Sequence, residues 1–372
     1  MTAMRLSRRD ALLGLVALGL AGPACAQARR PVRVALLGQA LLEHDLREQM
    51  WPDREAVARL IGRADIGFTN LETVIKGATT GAPTRELLTL HAGGPEVIEC
   101  LKSLNVNLVA TANNHAFDLG AEGIRSTLAS LDAAGLPHAG SGLDLTRASA
   151  AAFQTSRSGA RVAVVGFATG KVREGGMATA RRPGVNEVRE TAPGVLNEQD
   201  LARVFDALRE AAKTADVVIA YQHNHLWGDD FAVTYPWQRA AAKRCIDAGA
   251  TVYMAHGAPM MHGMEMYGNA PLFYGLGNFV FQTETKVGTY PQRSWEGMIV
   301  DGQFDGSARP KVGFTPLVLN EIGLGGPTDM ETRGRPSLAG PADADRILRD
   351  FAERSRAFGT IIAIQGGVGT LA

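Results

Sequence analysis

The segment Thr111-Ala112-Asn113-Asn114-His115-Ala116-Phe117-Asp118 crowds two amides, an imidazole and a carboxylate together. Amide oxygen, imidazole nitrogen and carboxylate form a mixed ligand set for a borderline divalent metal. The same residues serve equally well to satisfy the backbone of a turn. Three further polar clusters occur: Asn70-Leu71-Glu72, the run from Tyr221 to Asp230 holding His223, His225 and Trp227, and His256 with His262 and Glu265. Five of the eight histidines fall in these clusters. Imidazole is the side chain used where metal ligation or proton transfer is needed near neutral pH. His223 and His225 alternate, so on an extended segment they share one face. Hydrogen bonding alone would also account for such a pair. His44, His91 and His138 lack comparable company and read as surface or structural residues.

These clusters need elements to hold them, and the hydropathy pattern supplies an alternating series. Strands are expected over 32–37, 65–69, 106–110, 161–169, 216–221 and from 251. Helices are expected over 54–63, 95–104, 121–134, 199–213 and 236–248. Each polar cluster follows a strand, at the edge where α/β sheets place their chemistry. Independent loops at one such edge converge, which makes the set far more specific than any member. Beyond the last cluster, strands over 272–275, 298–304 and 311–319 lack intervening helices, so antiparallel pairing is expected. Residues 323–342 read as a loop, 343–358 as a last helix, and Gly366-Gly367 as a flexible end. Residues 170–194 form a long Gly- and Arg-bearing insertion, either a lid over the site or a surface excursion. No repeat or linker is visible, and one domain over 32–365 is expected.

With 372 residues, 45% hydrophobic and 20% charged, a large core is expected and global disorder is not. Lys+Arg and Asp+Glu are 38 each, which excludes a broad basic surface for nucleic acid or an anionic membrane. Ser7-Arg8-Arg9-Asp10-Ala11-Leu12-Leu13 carries a twin arginine just before the apolar run Ala11 to Ala21, and Ala24-Cys25-Ala26 then supplies small residues for cleavage. This reads as a twin-arginine export signal over 1–26 and implies a periplasmic or secreted protein. The apolar run is too short and Gly-rich to span a membrane, so no span remains after cleavage. Gly22-Pro23-Ala24 before Cys25 is a poor lipoprotein cleavage box. Cys100 and Cys245 lie in apparent amphipathic helices and read as buried thiols, with a disulfide left open.

Taken in order, several pieces resemble the CapA family of bacterial capsule-synthesis proteins associated with poly-γ-glutamate. They are Asp65-Ile66-Gly67-Phe68-Thr69-Asn70-Leu71-Glu72, Ala112-Asn113-Asn114-His115 with Asp118 and Gly120, and His225-Leu226-Trp227-Gly228. Ile246-Asp247-Ala248-Gly249-Ala250 and Glu265-Met266-Tyr267 follow, and then Phe273-Tyr274-Gly275-Leu276-Gly277-Asn278-Phe279-Val280-Phe281. The resemblance covers about 32–365. It implies an α/β (α+β) fold of the calcineurin-like metallophosphatase type, a four-layer α-β-β-α sandwich. It further implies Glu72, Asn114, His223 and His256 as metal-side residues. His115, Asp118 and His225 become catalytic, with Asp118 orienting His115. Asn70, Asn113, Trp227, Glu265 and Asn278 become substrate contacts. The cofactor implied is a divalent metal (zinc, manganese or iron). Two departures bear on it. Gly38-Gln39 stands where the family has Gly-Asp, and Pro259 stands where it has a second histidine. Both losses fall on one side, which points to one metal site or none, with His262 as a substitute ligand.

The function expected is processing of a polyanionic polymer or peptide, in poly-γ-glutamate, capsule or cell-envelope metabolism, alongside envelope machinery. Metal-assisted hydrolysis or transfer at an amide bond is the leading chemistry. Arg173, Arg181 and Arg182 of the insertion are candidates for holding substrate carboxylates. Metal-independent acid–base chemistry of the peptide-epimerase kind, and a non-catalytic polymer-binding or assembly role, are the alternatives.

Overall fold

A computed structural model of the chain describes residues 30–372 apart from 87–88 and 307–308. The export signal read over 1–26 lies outside the described residues. Two sheets face one another. The larger has nine strands, and its parallel half runs Val32–Leu37, Ile66–Asn70, Leu108–Ala110, His138–Ala139. Glu296–Phe304 pairs antiparallel to Val32–Leu37 and is followed outward by Lys311–Leu319, Val368–Leu371 and Ile362–Gln365. The second sheet has six strands, ordered Met264–Tyr267, Ala270–Phe273, Val252–His256, Val217–Asn224, Arg161–Thr169, Ala152–Thr155. Its four central strands are parallel.

One apolar cluster fills the space between the sheets. Val34, Leu36, Phe68 and Leu108 contribute from one side, and Val162, Val164, Ile219, Tyr221 and Met254 from the other. Phe68 meets Tyr221 edge-on with ring centroids 5.7 Å apart. The opposite faces carry helices. Ala35 and Leu37 pack with Arg54–Ile61 and Glu96–Ser103, whose Val57, Ile61, Val97 and Leu101 are buried. Ala163, Val165, Phe167 and Val218 pack with Glu198–Ala212 and Pro236–Asp247. In Glu198–Ala212, Leu201, Val204, Phe205, Leu208 and Ala211 make one buried stripe, and the Asn197 side chain caps the amides of Gln199 and Asp200. The layers are therefore helix, sheet, sheet, helix, the sandwich that the resemblance implied. The last helix, Pro341–Arg356, closes the antiparallel side. Phe351 packs at a tilt against Phe314, and Ser355 accepts from the Met264 amide at 3.0 Å.

Some expected elements change. The strand expected over 216–221 continues to Asn224, because Gln222, His223 and Asn224 stay in register with Phe167, Ala168 and Thr169. The loop expected over 323–342 contains the strand Pro336–Leu338. Gly366-Gly367 is not a flexible end. Both glycines take positive φ (59° and 76°) and turn a hairpin between Ile362–Gln365 and Val368–Leu371. Insertion 170–194 folds back on the body: Ala168 and Val188 exchange backbone bonds with Asn186 and Ala168. Cys100 and Cys245 are free, buried thiols, and burial raises them to about 11 and about 12. Among the described residues, no helix is long and apolar enough to cross a membrane.

The strand Val32–Leu37 reaches the site through Gly38, where the chain passes flush against a neighbouring backbone. A Cβ there would lie 2.6 Å from the Asn278 carbonyl carbon and 2.7 Å from Gly277 O and Phe279 N. Gly38→Ala is expected to destabilise the protein by about 1–3 kcal/mol, read as a lowered urea midpoint with unchanged slope.

Candidate metal centre and proton relay

The parallel strands of both sheets end at the same edge of the sandwich. Glu72 lies two residues past the end of Ile66–Asn70, and its amide is fixed to Ala40 O at 2.8 Å. Asn113 ties the neighbouring loop to this segment. Its amide nitrogen donates to Asn70 Oδ1 (3.1 Å) and Leu71 O (2.8 Å), while its oxygen accepts from the His115 amide. Asn70 and Asn113 are thus engaged with each other, and both are buried.

From the second sheet, His223 brings Nε2 to 3.3 Å from Glu72 Oε1 and 2.8 Å from Asn114 Oδ1. His225 stacks on His223 with ring centroids 5.0 Å apart, so the alternating pair does share a face. Trp227 covers His225 at 4.0 Å. Ligand atoms of Glu72, His223 and His225 all lie within 4.8 Å of one another.

The residues fit a divalent cation. Glu72 Oε2 and both ring nitrogens of His225 are buried without any hydrogen-bond partner. Leaving such atoms unpaired costs about 1–3 kcal/mol each. A carboxylate oxygen and two imidazole nitrogens are the donor set of zinc, manganese or iron sites. Burial, with help from His223, Lys171 and Arg85, holds His225 well below the ordinary imidazole range. The neutral ring is the form that ligates.

Beside this cluster sits a relay. His115 Nδ1 is 2.8 Å from Asp118 Oδ2, which leaves Nε2 facing Glu72 Oε1 at 4.0 Å. Asp118 is fully buried. It also ion-pairs with Arg85 Nε and accepts the His91 amide at 3.1 Å. Burial raises the Asp118 carboxyl to about 7, although Arg85 and the His91 amide act to lower it. Burial, reinforced by His91 and Arg85, keeps His115 well below its ordinary value. Arg85 Nη2 further donates to Asn114 O at 2.6 Å, so one guanidinium braces both the relay and the ligand loop.

The remaining expected residues are placed elsewhere. His256 pairs in register with His223, and burial lowers it to about 3. Its Nδ1 is 3.4 Å from the Tyr221 hydroxyl, and it stands outside the 4.8 Å cluster. Gln39 spends its side-chain oxygen on the Gly257 amide at 3.0 Å. His262, considered as a substitute ligand, is engaged by Phe231 O (2.7 Å) and Thr234 Oγ1 (2.9 Å) and staples that loop instead. Asn278 donates to Ser294 O at 2.7 Å, behind Gly38. Glu265 is held by Arg239, Lys243 and Tyr274, on the face that carries helix Pro236–Asp247. Arg181 and Arg182 are exposed.

Two residues at the relay escaped the sequence reading. His91 is buried, not peripheral: its ring packs on His115 at 4.4 Å and its Nδ1 contacts the Glu43 carboxylate. Arg85 has its side chain only 7% exposed. Both come from the irregular stretch between Ile75 and Ala92, which has no period or motif to announce them. Charge offers one signal, since buried Asp118 requires a cation beside it.

Comparison with known proteins fits this geometry. Residues 33–283 match the family described as bacterial capsule synthesis protein PGA_cap. The chain belongs to this family. The matched stretch carries every residue of the cluster and the relay. A protein of Sinorhizobium fredii described as uncharacterized is 27% identical, over 90% of this chain and 92% of its own length. The probable polyglutamine synthesis accessory protein of Mycobacterium tuberculosis is 32% identical over 62% of this chain and 59% of its own. The PGA biosynthesis protein CapA of Bacillus subtilis is 31% identical over 50% of this chain and 45% of its own.

Two outcomes are expected. Protein purified without a polyhistidine tag should carry about one divalent metal per chain, as a single three-ligand cluster would. Elemental analysis should find that metal lost in Glu72→Ala and His225→Ala and retained in Glu265→Ala. The second outcome concerns acid stability. Burial alone would raise Glu265, but bonds from Arg239, Lys243 and Tyr274 outweigh it and bring it from 4.5 to about 2. A depressed carboxylate stabilises the fold above its unfolded pKa, and that stability is lost as pH falls through the folded value. Glu265→Gln should therefore lose stability at neutral pH and show a flatter denaturation profile between pH 4.5 and about 2.

Proposed function

We propose that this protein is exported to the periplasm or beyond and processes poly-γ-glutamate or a related envelope polymer at an amide bond. The observation that carries this reading is the Glu72–His223–His225 cluster facing the His115–Asp118 pair. Membership in a capsule-synthesis family and the names of the relatives support the choice of polymer.

A divalent metal held by Glu72, His223 and His225 would supply a Lewis acid and lower the pKa of water. The chain's own residues do the rest. Asp118 accepts from His115 Nδ1–H, which fixes the tautomer and leaves Nε2 as the free base. Because burial keeps the ring neutral, Nε2 can accept a proton from the attacking nucleophile and return it to the leaving amine. Arg85 neutralises Asp118, so the relay does not compete with Glu72 for cations. Trp227 covers His225 and limits water on that side of the site.

His115→Ala separates catalysis from binding. It is expected to lower kcat for release of γ-glutamyl fragments by about 100- to 10,000-fold while metal content stays at the wild-type level. Unchanged turnover in this variant, with turnover also surviving metal removal, would exclude the proposed chemistry.

A further inference from the structure

The start of the insertion spans the mouth of the site. Gly170 sits directly on the ligand loop, where a Cβ would lie 2.7 Å from Leu226 Cδ2 and 3.0 Å from the His225 carbonyl carbon. Six residues later, Gly176 sits on the relay loop, where a Cβ would come to 3.2 Å from Phe117 Cβ. Between them Val172 packs against the small cluster of Ala112, Ala116, Phe117 and Ala168. The arm is therefore pinned at both ends, one on each half of the site.

Two cations ride on this arm. Gly170 and Lys171 both take positive φ (75° and 53°), a conformation uncommon for a residue with a side chain. The turn brings the Lys171 ammonium over Trp227, 5.2 Å from the ring centroid, beside His225. Arg173 is half-buried, and its Nε is buried without a hydrogen-bond partner. Neither cation has a carboxylate within ion-pair distance among the described residues, whereas Arg85 is already neutralised by Asp118. The mouth thus carries two uncompensated positive charges. Arg173 is felt by both Asp118 and Arg85, and Lys171 by His225, which agrees with that placement.

We propose that Lys171 and Arg173 are specificity residues that grip a carboxylate of an acidic polymer at the mouth of the site. This rests on the polymer-processing reading above and assigns its recognition to two side chains. A planar guanidinium suits bidentate carboxylate binding, and an ammonium poised on an indole adds a second charge without a fixed partner.

Calorimetric titration of metal-loaded protein with short poly-γ-glutamate oligomers tests it. Lys171→Gln/Arg173→Gln should weaken binding at least about tenfold and flatten its dependence on salt, with metal content unchanged. Arg181→Gln/Arg182→Gln should bind as wild type does. Equal affinity in wild type and the Lys171/Arg173 variant would overturn the assignment and leave the polymer reading intact. Polyphosphate bound as tightly as the oligomers, and lost in the same variant, would overturn the choice of carboxylate. No oligomer binding by wild type would instead sink the polymer reading itself.

Discussion

The contact between the two sheets decides where every functional atom lies. Strand side chains alternate, so the residues that fill the core on one face are followed by residues that emerge above it on the same face. In the larger sheet that sequence is Phe68, Asn70, Glu72. In the smaller it is Tyr221, His223, His225. Phe68 and Tyr221 meet in the core, and Glu72 and His223 meet one layer higher, at 3.3 Å. A one-residue slip in either strand would turn its site residues toward the helices. The register that buries the core therefore also assembles the ligands, and neither sheet alone contains the site.

Burial at this edge has an electrostatic consequence. Glu72, Asp118, His115, His223 and His256 are all nearly inaccessible, and water cannot offset their charges. The fold answers differently in each half. In the relay, Asp118 has permanent partners in Arg85, the His91 amide and His115. In the cluster, Glu72 has one oxygen without a partner and His225 has two unpartnered nitrogens. A buried group is tolerated only if something completes it. One half is closed by the protein itself, and the other is open to a cation. That division matches the two roles assigned to them.

Legibility in the sequence followed the same physics. The core strands were readable from Val-, Ile- and Leu-rich runs, and the helices from their buried stripes and caps. The polar clusters were readable because they follow those strands. The strand end at Asn224 was not, since Gln222, His223 and Asn224 look like loop residues. They stay in the sheet because Gln222 and Asn224 both bond Thr169 across the ladder. The last hairpin was hidden for the opposite reason, because Gly366-Gly367 resembles a tail until its flanking strands find an edge. Arg85, His91 and Lys171 were out of reach as site residues. They arrive from irregular segments whose paths depend on packing against the finished sandwich, and no local pattern encodes that.

The two departures from the family pattern now have a physical setting. Gln39 has no charge, and its oxygen is committed to the Gly257 amide. Gly257 itself takes φ 118° and lies so close that a Cβ would sit 2.0 Å from Asn224 O. The Gln39 bond thus ties the turn after His256 to the segment following Val32–Leu37, while Gly257 itself packs on the end of the strand that carries His223. With Pro259 unable to ligate, the side of the cleft lined by Gln39 and His256 acts as scaffold for the other side. The unpartnered donor atoms of Glu72 and His225 lie nearer the relay, and on the other side His256 Nε2 is also buried without a partner. A cation held by Glu72 and His225 would stand where His115 Nε2 faces Glu72 Oε1.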